Sequence, residues 1–129
     1  MDIQQRARYY YIDQNHNCAV SILMSASDCY GLGLTLEDAK LVTGFGGGMG
    51  FGSTCGCIAG ALAALGKRYA GREDFRKLCA GFVKEFTQAL GSTDCRVILP
   101  AHKAPEVRCL AAVAKAAALL EAYMEKIEN

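Results

Sequence analysis

Cysteine is the residue type that gives this sequence its reactive chemistry. The chain has 129 residues and seven cysteines, an odd number, with no C-x-x-C pair among them. Small exported proteins use many cysteines as disulfide staples, whereas proteins of a reducing compartment use them for redox or metal chemistry. The first seventeen residues lack the apolar core of a secretory signal. We therefore expect a cytoplasmic location and cysteines that react or bind.

A glycine-rich segment precedes the most informative of these cysteines. Six of the nine residues 44–52 are glycine, which predicts a loop, because glycine permits positive φ angles and close approach. Ser53 is predicted to be the N-cap of the next helix, which continues to about Lys67. Cys55 is then in the first helical turn. There, free N–H groups and the helix dipole lower the pKa of a thiol and favour a reactive thiolate.

The glycines of this segment have more than one interpretation. Four of them are predicted to lie beside the reactive thiol and to leave room for a partner: Gly46, Gly47, Gly48 and Gly50. A phosphate-binding role is disfavoured, because no predicted strand precedes the segment and no Gly-Lys-Ser/Thr sequence ends it. A structural role is compatible with the chemical one, since Gly56 and Gly60 give the following helix a smooth face for close packing.

Three other cysteines are predicted near helix starts and can therefore converge on Cys55. These are Cys18, Cys95 and Cys109. Residues 91–95 repeat the pattern of residues 52–55, which predicts a second cysteine beside a helix N-terminus. The remaining three are predicted to be packing residues, since buried cysteine is common: Cys29, Cys57 and Cys79. Cys57 is expected to point away from Cys55, because residues two apart on a helix differ by about 200°.

Helical periodicity dominates the rest of the chain. Apolar residues recur at steps of three and four over residues 75–90 and over the C-terminal segment from Pro105 to Ile127. Further helices are predicted before Asn15, over residues 17–30 and 35–44, and from Cys95 up to Pro100. Period-two alternation is absent. We predict an all-α fold with a single domain spanning residues 1–129, a compact bundle of five to six helices with the glycine-rich loop before a central helix.

Charge and hydropathy make two classes of partner improbable. The formal net charge is +1 and the basic residues are scattered, so no surface is predicted for nucleic acid. The longest apolar-looking stretch, residues 109–122, contains Lys115 and Glu121 and is too short to cross a bilayer. We therefore expect neither nucleic-acid binding nor membrane insertion.

Five groups of residues together resemble a known family. They are Asn17-Cys18-Ala19, residues 44–50, Thr54-Cys55-Gly56 with Gly60, Ser92-Thr93-Asp94-Cys95-Arg96, and Cys109. This pattern resembles the C-GCAxxG-C-C family, described as redox-active proteins with four characteristic cysteines, over about residues 6–124. The resemblance implies that those four are Cys18, Cys55, Cys95 and Cys109. Cys57 departs from the family pattern, which usually has alanine there.

Thiol–disulfide exchange is the function that we predict from these residues. Cys55 would attack, and Cys18, Cys95 or Cys109 would resolve the mixed disulfide, with a redox partner protein or a small-molecule thiol as the other reactant. Alternatively, the same four cysteines hold an iron–sulfur cluster or a metal ion. A third interpretation is a structural helical bundle with incidental cysteines. The sequence does not decide whether the protein is an enzyme.

Overall fold

Residues 2–129 are described by a computed structural model, and this part of the chain is helical. Its seven α-helices are α1 (Ile3–Arg8), α2 (Cys18–Tyr30), α3 (Leu36–Ala39), α4 (Gly56–Tyr69), α5 (Phe75–Leu90), α6 (Cys95–His102) and α7 (Leu110–Glu128). Within residues 2–129 no β-strand forms, and pairing is limited to two isolated bridges. The predicted all-α class is confirmed. The predicted number of five to six helices is slightly low, and the shortest of the seven, α1 and α3, have only six and four residues.

Local sequence signals set several helix ends as predicted. α2 begins after Asn17, whose side chain accepts a backbone N–H of the first turn. It ends at Gly31, and α5 ends at Gly91, both in the left-handed conformation with φ of 63° and 85°. α3 begins with a capping box in which the side chains of Thr35 and Asp38 each accept the other's backbone N–H. These ends depend only on residues within a few positions.

The predicted start of α4 is wrong. The helix begins at Gly56, with Cys55 as its N-cap residue, rather than after Ser53. The carbonyl of Ser53 accepts the backbone N–H of Cys95 at 2.7 Å, so residues 53–55 are extended against a distant segment. Local sequence carries no signal for this pairing.

Two later boundaries also differ from prediction. α7 begins at Leu110 rather than at Pro105, because a bridge between residues 104 and 108 closes a turn around the proline. α6 continues to His102 instead of ending before Pro100. A proline inside a helix removes one backbone hydrogen bond, and α6 tolerates this loss in its second turn.

Helix α2 packs against α1, α4 and α7. Nine consecutive residues of α2, 19–27, are buried. The three serines among them have partners, since Ser21 and Ser25 donate to carbonyls of the preceding turn and Ser27 accepts the N–H of Leu34. A helix covered along this length therefore keeps its polar groups satisfied, as burial requires.

The α2–α4 contact depends on two glycines, as the sequence predicts. A Cβ at Gly60 would lie 2.4 Å from the carbonyl oxygen of Ala19. A Cβ at Gly56 would lie 2.5 Å from the Cys18 sulfur and 2.8 Å from the carbonyl oxygen of Phe45. The start of α4 can lie against the start of α2 only because these positions carry no side chain.

We predict that Gly60→Ala lowers the free energy of unfolding by about 1 to 3 kcal/mol, because a methyl group must displace the backbone of α2. The matched control is Gly66→Ala in the same helix. Its nearest non-local atom would be 3.8 Å away, so it should stabilise the protein by about 0.4 to 1 kcal/mol. Denaturant midpoints followed by circular dichroism measure both. Equal effects of the two substitutions would contradict the packing argument.

Candidate functional site

The two similar segments around Cys55 and Cys95 pair with each other. The N–H of Cys55 donates to the carbonyl of Thr93 at 2.8 Å, and the N–H of Cys95 donates to that of Ser53 at 2.7 Å. These bonds flank an antiparallel bridge between residues 54 and 94. The Asp94 side chain then caps α6 by accepting the next turn's backbone N–H at 2.8 Å. The bridge thus holds Cys55 and Cys95 at the starts of α4 and α6.

The glycine-rich segment lies against these helix starts. Gly47, Gly48 and Gly50 have positive φ angles of 64°, 64° and 81°. A Cβ at Gly48 would lie 2.6 Å from the Cβ of Cys95, and one at Gly46 would lie 2.5 Å from the side-chain nitrogen of Asn17. Around Gly50 the corresponding space is open, so that position needs glycine for its backbone angle alone.

A cavity of about 280 Å³ lies where the helix starts meet. Five cysteines line it, and all seven cysteines of the chain are free thiols. The five are Cys18, Cys55, Cys57, Cys95 and Cys109. The four cysteines singled out from the sequence are thus brought to one cavity, together with a fifth that was predicted to be a packing residue.

Two cysteines lie away from the cavity, and neither is buried as predicted. Cys29 is exposed, which corrects its assignment to the core, and it follows the buried stretch of α2, residues 19–27. Cys79 is half-buried on α5, where the buried residues are Phe82, Phe86 and Leu90.

Cys57 is buried, as the sequence predicts for a packing residue, with 1% of its surface exposed. It also lines the cavity with Cys18 and Cys55, which the predicted helix register did not indicate. With Cys55 at the N-cap (φ −58°, ψ 131°), the side chains of Cys55 and Cys57 do not follow helical spacing. The one available signal was the cysteine at a position where the family pattern usually has alanine.

Hydrogen bonding separates the acidities of these three thiols. The bond from Cys57 lowers the pKa of Cys18 to about 7, opposed by burial and assisted by the backbone N–H groups of Gly47, Ala19 and Cys18 itself. The same donor lowers the pKa of Cys55, again against burial, with help from N–H groups at the start of α4. Its interaction with both sulfurs, together with full burial, raises the pKa of Cys57 well above its usual value. Cys57 therefore stays protonated at a pH where Cys18 ionises.

The other two cysteines of the cavity are weaker acids. Burial raises the pKa of Cys95, and it raises that of Cys109 to about 11. The nearby sulfurs of Cys55 and Cys18 raise both further through charge repulsion. The cavity therefore combines two thiols with a lowered pKa, Cys18 and Cys55, with three whose pKa is raised.

Aromatic and cationic groups complete one wall beside Cys109. The backbone N–H of Cys109 donates to the hydroxyl of Tyr11 at 3.0 Å. The guanidinium of Arg108 stacks 4.0 Å from the centroid of the Tyr11 ring and donates to the Tyr11 carbonyl. These contacts tie the start of α7 to the N-terminal segment of the chain.

The described residues contain neither a metal-binding group of side chains nor a membrane-spanning helix. Within residues 2–129, no group of three or more histidine, cysteine, aspartate or glutamate side chains is arranged to hold a metal ion. Over the same residues, no helix has the length and apolar character needed to cross a membrane.

Fold and cavity together define an all-helical, cysteine-rich protein with five of its seven thiols gathered near helix N-termini. The family model described as "Putative redox-active protein (C_GCAxxG_C_C)" matches residues 16–123. The chain therefore belongs to this family, and the assignment is consistent with a redox role. Neither the search of curated proteins nor that of solved structures finds a match.

We predict that Cys57→Ala raises the pKa of Cys18 from about 7 toward that of an ordinary thiol, about 8.5. Because only the thiolate is alkylated, the variant's Cys18 should react several-fold more slowly with iodoacetamide at pH 7 and recover its rate as pH rises. Mass-spectrometric rates between pH 5 and 10 measure this. Cys79→Ala is the matched control and should leave the profile of Cys18 unchanged. An unshifted profile in Cys57→Ala would show that Cys57 does not tune the site.

Proposed function

We propose that the cysteine-lined cavity carries out thiol–disulfide exchange, with Cys18 and Cys55 as the redox pair. The observation that carries this proposal is that both cysteines line one cavity, in which the Cys18 sulfur lies against Gly56, the residue after Cys55. Both thiols also have lowered pKa values. Proximity and thiolate character are the two requirements for forming and breaking a disulfide.

The proposed reaction has two steps. The Cys18 thiolate attacks one sulfur of a substrate disulfide, a mixed disulfide forms, and the departing thiolate takes the bonding electron pair and a proton. The Cys55 thiolate then attacks the Cys18 sulfur and releases the second substrate thiol. The substrate disulfide gains two electrons and two protons, and the protein's two thiols become a disulfide. A redox partner protein or a small thiol reverses these steps on the protein.

Accessibility and acidity favour Cys18 as the attacking residue and Cys55 as the resolving one. Cys18 is partly exposed, whereas Cys55 is only 5% exposed. A thiol with a pKa near the ambient pH is the most effective attacker, and the pKa of Cys18 is about 7. This assignment reverses the order that the sequence alone suggested. Such a cycle suits a reducing compartment, and we propose the cytoplasm.

Cys95 and Cys109 do not form the redox pair in this proposal. Both line the cavity, and their raised pKa values keep them protonated at neutral pH. They are therefore poor nucleophiles, although they are able to donate a proton to a departing thiolate. A cluster or metal site would instead require all four family cysteines as thiolate ligands. The two proposals thus differ in which cysteines are indispensable.

We predict that reduced protein treated with one equivalent of 2-hydroxyethyl disulfide forms a Cys18–Cys55 link, found by non-reducing peptide mapping. Cys18→Ser and Cys55→Ser should each abolish the link, because a serine hydroxyl is not ionised at neutral pH. Cys95→Ser and Cys109→Ser should retain it.

The control for this experiment is Cys29→Ser, which removes a cysteine outside the cavity. The same proteins, purified without air, are assayed for iron and zinc. A link between other cysteines would contradict the proposed pair. Bound metal that is lost equally from the four serine variants would favour the metal-binding alternative.

A further inference from the structure

The charge on the cavity wall indicates a class of substrate. We propose that the cavity receives a small disulfide, or the thiol derived from it, whose arm carries a carboxylate or similar anionic group held by Lys103 and Arg108. This inference rests on the proposed exchange function for the reaction, and on the composition of the cavity for the ligand.

Within residues 2–129, cationic side chains line the cavity, and carboxylates do not. Of the described residues that line it, two are cationic, Lys103 and Arg108, and none is an aspartate or glutamate. Among the ion pairs found in residues 2–129, neither of these cations takes part. Two positive groups without a carboxylate partner at the wall of a cavity favour an anionic ligand.

The helices add to this preference. Four of them, α2, α4, α6 and α7, begin at a cysteine of the cavity, either as first residue or as N-cap. Helix N-termini carry a partial positive charge and unpaired N–H groups. Their convergence therefore reinforces the effect of the two cationic side chains.

The thiolates of the redox pair do not account for these cations. The pKa values of Cys18 and Cys55 are lowered by the thiol of Cys57 and by backbone N–H groups. Lys103 affects the pKa of Cys109, and there its effect is smaller than that of burial. The cationic groups thus remain available to a bound molecule.

Arg108 is held in position before any ligand arrives. It stacks on the ring of Tyr11 and donates to the carbonyl of the same residue. Its backbone lies in the left-handed region, with φ of 51°, a conformation that non-glycine residues adopt only where the surroundings impose it. A cation fixed in this way binds an anionic group with little loss of conformational freedom.

Size and polarity limit the remainder of the ligand. A volume of about 280 Å³ is at the lower end for small-molecule pockets. The cavity wall also includes the apolar side chains of Ile98, Leu99 and Val113. Short aliphatic arms that join the disulfide to the anionic groups fit this combination.

The test compares three small disulfides that differ in charge. Reduced protein is mixed with 3,3′-dithiodipropionate, 2-hydroxyethyl disulfide or cystamine, which are anionic, neutral and cationic. The rate of thiol release from each disulfide with the protein is divided by the rate for the same disulfide with dithiothreitol. The anionic disulfide should react about 10-fold faster than the cationic one, and Lys103→Gln should reduce this ratio about 5-fold. Lys84→Gln, an exposed lysine on α5, should leave the ratio unchanged.

A second measurement tests binding without exchange. Octanedioate resembles the anionic disulfide but has no sulfur, and it should protect Cys18 from iodoacetamide, whereas 1,6-diaminohexane should not. Equal rates with all three disulfides, or protection by neither compound, would overturn the anionic-ligand inference and leave exchange intact. Protection that depends on Lys103, without exchange by any disulfide, would uphold the ligand class and overturn the proposed function.

Discussion

The close approach of α2 and α4 is the contact on which the cavity depends. It exists because Gly56 and Gly60 expose the backbone of α4, so that Gly60 meets the carbonyl of Ala19 and Gly56 meets the sulfur of Cys18. A Cβ at either position would lie within 2.5 Å of an atom of α2 and force the two helices apart. The effect of the Cys57 thiol on both Cys18 and Cys55 requires the starts of α2 and α4 to stay close. The packing of α2 against α4 therefore also determines the pKa values of the cavity thiols.

Backbone pairing between distant segments sets the remaining geometry. The bridge that joins residues 54 and 94 holds Cys55 as the N-cap of α4 and Cys95 as the first residue of α6. The N–H of Cys109 reaches the hydroxyl of Tyr11, which fixes the start of α7. Each cysteine of the family pattern thus lies where a helix begins, and none is held by a neighbour in sequence alone. Thiols from separate parts of the chain share one cavity as a consequence.

The sequence predicts the features that depend on residues close together in the chain. Its predictions fail where a residue distant in the chain makes the decisive contact. The ends of α2 and α5 at Gly31 and Gly91 follow from glycine's access to positive φ. Four of the five cavity cysteines follow from helix starts and from the family pattern. Serine is a favourable N-cap residue, so the sequence predicts a helix start at Ser53, but the Ser53 carbonyl accepts the backbone N–H of Cys95 instead. Because the helix start was predicted too early, the sequence did not indicate that Cys57 lies beside Cys55.

Cys57 has the largest effect on the acidity of its two neighbours, since each backbone N–H at the helix starts lowers their pKa values less than its thiol does. A fully buried thiol has no water to bond with, so its single proton is shared between the two neighbouring sulfurs. Ionisation of either neighbour strengthens that bond, because the acceptor becomes charged. The fifth cysteine therefore links the acidities of Cys18 and Cys55, and a change at one sulfur is felt at the other through a shared proton donor.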